Sequence, residues 1–141
     1  MRKGELEKLK KLIETLDEEV RETFRSIKIE INLELPRVYI GNFWPSADKK
    51  GIYLPFLILH AKNKDTIIRK ELYSYYYANF SNTNLKYLSR DLKDFLEMLL
   101  SILAGGYKDK IILECFKLLI NDLEGAYRSC NDYIGKIYLS L

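Results

Sequence analysis

Glutamine is absent from this sequence and His60 is its only histidine, while Lys, Glu, Ile, Leu and Tyr dominate. Such usage fits a hyperthermophile, archaeal or viral, since heat favours charged networks over thermolabile amides; AT-rich coding leaves a similar trace. No apolar signal core is present, because Met1-Arg2-Lys3-Gly4-Glu5 leads straight into a charged amphipathic run. The longest apolar stretch, Ile52 to Ala61, is about half the length that spans a bilayer. Together these absences lead to the expectation of a cytoplasmic protein with no membrane partner. Cysteine is scarce too. Cys115 and Cys130 fall in one helical segment, where a straight helix would hold them about 22 Å apart. A disulfide would need that helix to break, so the expectation is two buried thiols in a reducing cytosol.

What is present bounds the rest. A length of 141 residues with 48% hydrophobic content closes one core, so a single α+β domain over residues 1–141 is expected. The 23 Lys and Arg nearly cancel the 20 Asp and Glu, leaving a net charge of +3. That balance does not by itself argue for nucleic acid.

An amphipathic helix is predicted from about Gly4 to Phe24, with Leu6, Leu9, Leu12, Ile13, Leu16, Val20 and Phe24 at three- and four-residue spacing. From Ser26 the period changes to two. Ile27, Ile29, Ile31, Leu33 and Leu35 alternate with polar residues, which predicts a strand buried on one face. Val38 to Phe43 and Ile52 to Lys62 follow as second and third strands around a loop at Trp44 to Gly51. Three helices are then predicted, over Thr66 to Phe80, Leu85 to Ala104, and Asp109 to the end, with Gly105-Gly106 closing the second. The fold class expected is therefore an N-terminal helix, a three-stranded mainly antiparallel sheet covered by helices, and three C-terminal helices.

The last helix carries a seam of Ile112, Phe116, Leu119, Leu123, Ala126, Cys130, Tyr133 and Ile137, stepping by four and three. Unbroken, it would be about 45 Å long, more than a domain of this size can hide. Either it kinks near Gly125 or it projects and pairs with a second chain. Apolar residues outside the seam, namely Ile111, Leu118, Ile120, Tyr127, Ile134 and Tyr138, ask for a further partner, which points to a homodimer.

Chemistry is harder to place. No complete triad, metal-ligand set or phosphate loop can be read, so neither a metal nor a cofactor is expected; the balance leans away from an enzyme and leaves open one with an unusual site around Glu71 and Glu124. In Lys70-Glu71-Leu72-Tyr73-Ser74, a glutamate occupies the place of the water-activating residue of a zincin helix, whose flanking histidines hold zinc. Lys70 and Ser74 stand at the histidine positions. In element order the chain resembles the minigluzincins, small single-domain zincins. The resemblance makes Glu71 and, more weakly, Glu124 the candidate catalytic residues, and implies a pseudopeptidase without zinc. His60 is a further candidate base, expected to sit in the core or at its rim. A site made of His60, Cys115, Cys130 and acidic residues has no ligand-spacing signature.

Tyr73, Tyr75, Tyr76 and Tyr77 surround one helix and cannot all face one core, so a contact surface for a protein partner is expected there. Lys49, Lys50, Lys62, Lys64, Arg69 and Lys70 lie close by in sequence, and a basic patch beside aromatics could hold phosphates and stack bases. Three functions thus compete: an interaction protein that oligomerises through its helical C-terminal half, a zincin-like pseudopeptidase, and a nucleic-acid-associated protein.

Overall fold

The computed structural model describes residues 7, 10–25, 29–32, 37–40, 52–55, 62–81, 88–107 and 109–141, the strands by their backbone alone. In chain order the elements are α1 (Glu18–Arg25), β1 (Ile29–Asn32), β2 (Arg37–Ile40), β3 (Ile52–Pro55), α2 (Lys64–Phe80), α3 (Arg90–Ala104), α4 (Lys110–Asn121) and α5 (Leu123–Ser140). The contacts group into two compact units, Met1–Arg69 and Lys70–Leu141, and α2 runs through the boundary.

In the first unit, helical residues 10–13 are separated from α1 by a turn. A single N-terminal helix was expected there. The amides of Thr15 and Leu16 bond to the carbonyls of Leu12 and Ile13, three residues back, which tightens and ends the helix. Asp17 then starts the next one, its carbonyl accepting from the Arg21 amide at 2.8 Å, with Glu18 and Glu19 placed to offset the positive end of the helix dipole. The expected apolar residues Leu12, Ile13, Leu16, Val20 and Phe24 are all buried.

The backbone of β1, β2 and β3 forms antiparallel ladders in that order, with Ile29 opposite Ile40 and Val38 opposite Leu54. Each strand is four residues long. Among residues whose side chains are described, however, 83% are helical and none lies in a strand. The α+β class with a helix-covered sheet is corrected accordingly: the part whose packing is described is all-α. Period-two alternation marks which residues can share a sheet face, but it does not measure how much of the core a sheet supplies.

The second unit is built by helices. Helix α3 begins at the Ser89 cap, whose side chain accepts the Leu92 amide. It ends in Gly105-Gly106, where Gly106 has φ 86° and the Tyr107 amide returns to the Ile102 carbonyl at 3.3 Å. That left-handed residue followed by a six-to-one bond is a Schellman ending. Asp109 caps α4 through a bond from the Ile112 amide at 2.7 Å. The long terminal helix divides at Asp122, three residues before the expected kink at Gly125, so among the described residues four helices follow the strands where three were expected.

Asp122 is both the end of α4 and the cap of α5, in an extended conformation with φ −155° and ψ 92°. Its amide still reaches the Leu118 carbonyl at 2.7 Å, while its carboxylate accepts the Gly125 amide at 3.0 Å. A Cβ on Gly125 would lie 2.2 Å from that carboxylate, so glycine leaves room for the cap. The chain reverses there, and α5 packs against both α3 and α4. Reversal brings the Cα atoms of Cys115 and Cys130 to 6.2 Å, and the two residues form a disulfide. The expectation of free thiols is corrected by the break at Asp122 that makes bonding geometrically accessible.

Candidate functional site

The tyrosines of α2 are not a contact surface. Tyr73, Tyr75, Tyr76 and Tyr77 are buried together with Ile68 and Leu72, a wide arc of the helix that leaves Glu71 and Ala78 exposed on the remaining side. Tyr73 meets Phe116 of α4 edge-on at 5.5 Å between ring centroids, and Tyr76 stacks on Phe80 at 4.8 Å. Tyr77 is the exception in its chemistry: its hydroxyl is buried with no hydrogen-bond partner among the described residues.

The expected basic patch is dispersed. Lys49, Lys50 and His60 lie outside the described residues, Lys62 is exposed, and Lys64 and Arg69 are half-buried. Lys70 is engaged by Glu97 of α3 in a close ion pair. Of the zincin-like positions, Glu71 is exposed and Ser74 half-buried on α2. Glu124 lies exposed in the first turn of α5, 4.0 Å from Arg128 one turn on. Cys115 and Cys130 are removed from any ligand set by their disulfide. No group of three His, Cys, Asp or Glu that could hold a metal ion occurs among the described residues.

The oligomer seam proves to be internal. Ile112, Phe116, Leu119, Leu123, Ala126 and Cys130 are buried within the chain, and Tyr133 and Ile137 are half-buried. Folding back at Asp122 turns the two halves of the seam against neighbouring helices of the same chain, which removes the need for a second copy on that face. Tyr133 donates to the Asp109 carboxylate at 2.6 Å, tying α5 to the cap of α4. This bond, ahead of partial burial, pushes the Tyr133 phenol up to about 12, and the same bond chiefly holds Asp109 below the ordinary carboxylate range.

Exposed apolar side chains among the described residues include Tyr107, Tyr138, Leu139 and Leu141. On α4, Ile111 and Leu118 are 49% and 36% exposed and share one face at heptad spacing. Lys110, Glu114 and Lys117 flank them, all exposed. Where α2 and α3 meet, a cavity of about 320 Å³ opens, lined by Ser74, Tyr77, Leu88, Lys93, Leu96, Glu97 and Leu100. Sequence reasoning did not single out this set. Its signal is the spacing of Lys93, Leu96, Glu97 and Leu100 along one stripe of α3, where the two charged members read as solvated. Compared with known proteins, the chain matches no family model, no curated protein and no solved structure.

Proposed function

We propose that the chain is a non-enzymatic interaction protein that assembles as a homodimer through its helical C-terminal half. The observation that carries this reading is the pair Ile111 and Leu118, apolar and exposed while the neighbouring seam is satisfied internally. A two-fold axis across α4 lays each pair on its own copy, and an antiparallel crossing brings Glu114 of one copy toward Lys110 and Lys117 of the other. No helix among the described residues is long and apolar enough to cross a membrane, and our reading places the protein in the cytoplasm of a hyperthermophilic host. In such a host the Cys115–Cys130 bond is compatible with an intracellular place, whereas in other organisms a disulfide points to an oxidising compartment. Light scattering across micromolar concentrations should report twice the chain mass, and Leu118→Glu should halve it while the helical signal in circular dichroism is kept. A monomer at every concentration refutes the proposal.

A further inference from the structure

The disulfide joins α4 and α5 within their hairpin, and both of its cysteines are buried. Cys115 is 3% exposed and Cys130 is 7% exposed. One turn to either side along the inner stripe lie Ile112 and Leu119 on α4, and Ala126 and Ile134 on α5, all 0% exposed. The hairpin is also fastened on both sides of the bond by contacts that need no sulfur. Towards the turn, the Asp122 carboxylate accepts the Gly125 amide at 3.0 Å. At the end away from the turn, the Tyr133 hydroxyl donates to Asp109 at 2.6 Å. A disulfide at a fraying end meets solvent whenever the last turns part; this one is bracketed.

A thiol reductant undoes such a bond by exchange. Its thiolate attacks one sulfur, forming a mixed disulfide and releasing the other cysteine as a thiolate. A second thiol of the reductant then displaces the remaining cysteine, so both cysteines leave reduced and the reductant leaves as a disulfide. The first attack requires a sulfur within reach, so access sets the rate. We infer that Cys115–Cys130 is a sealed fastener and not a redox switch: a thiol reaches it only when α4 and α5 part, and the formed bond therefore persists in a reducing compartment. The seal lies within one chain and does not rest on the dimer.

Dithiothreitol in excess is the probe, with freed thiols trapped by iodoacetamide and counted by mass. The purified full chain should carry no free thiol before the reagent is added. Native reduction should run at least about 100-fold slower than in denaturing guanidinium chloride, as for any site reached through a costly opening. Tyr133→Phe, which frees one end of the hairpin, should speed native reduction by about fivefold, the usual worth of one hydrogen bond, and leave the denatured rate unchanged. Leu118→Glu, which splits the proposed dimer, should leave both rates as in the parent. Native reduction within about tenfold of the denatured rate overturns the inference. So do two free thiols at the outset, or a native rate that Tyr133→Phe fails to raise. Acceleration by Leu118→Glu would move the seal to an interface between copies and overturn it equally.

Discussion

Helix α2 and the α4–α5 hairpin both bury apolar surface, yet they are held by different means. The first relies on area: its tyrosines and leucine are enclosed on several sides, and rings of α2 rest on Phe116. The second relies on separate small locks, namely the Asp109 and Asp122 caps, the Tyr133 hydrogen bond and the disulfide. A helix held by close-packed rings has no partial state to fall back on when one ring is removed. A hairpin held by several independent links should weaken in steps.

The largest effect should come from truncating α2. Tyr73→Ala removes a fully buried ring in edge contact with Phe116 and should cost about 3 to 5 kcal/mol in urea unfolding. A loss below about 1 kcal/mol would show that α2 is not enclosed as described. Next comes the disulfide. Cys115→Ala with Cys130→Ala, or reduction of the bond, should cost about 3 kcal/mol for a loop of this length. The helical signal in circular dichroism should survive, because the turn is encoded by Asp122 and Gly125 independently of sulfur.

The smallest effect is a pH dependence. The Tyr133 phenol is protonated more tightly in the folded chain, so its contribution is complete below pH 10 and fades as the pH rises toward about 12. Asp109 behaves in the opposite sense: its carboxylate is favoured by folding, and that contribution is lost as the pH falls below its ordinary 3.8. Tyr133→Phe should therefore flatten the stability profile at both ends relative to the parent chain. Parallel profiles would mean that the bond does not form in solution.

The same contrast explains what could be read in advance. Asp109 and Gly105-Gly106 mark helix ends by residue chemistry, so these were legible; spacing also picked out the seam, but read it as an oligomer face although most of it is buried within the chain. The break at Asp122 was not legible, because Leu119, Leu123 and Ala126 keep helical phase across it; periodicity records which residues share a stripe, and a reversal that preserves phase leaves no mark. Asp122 with Gly125 three positions on was the available sign, and glycine alone drew attention to the wrong residue. The disulfide was hidden for the same reason, since its two ends are distant only along a straight helix. Tyrosine defeated the reading of α2 because its ring and hydroxyl favour opposite environments, and only enclosure on several sides decides between them. For the sheet, alternation led to an α+β class, whereas the part whose packing is described is all-α.

The disulfide also makes part of the chain a closed ring, since Cys115 and Cys130 are joined through sulfur as well as through the fourteen peptide residues between them. Exposed Lys117 and Arg128 both lie on that ring. Cleavage by a trypsin-like protease after either one opens the ring without parting the molecule, and the C-terminal turns stay tethered until the sulfur bridge is reduced as well. A single nick in this stretch is thus survivable, whereas one nick outside the ring divides the chain in two.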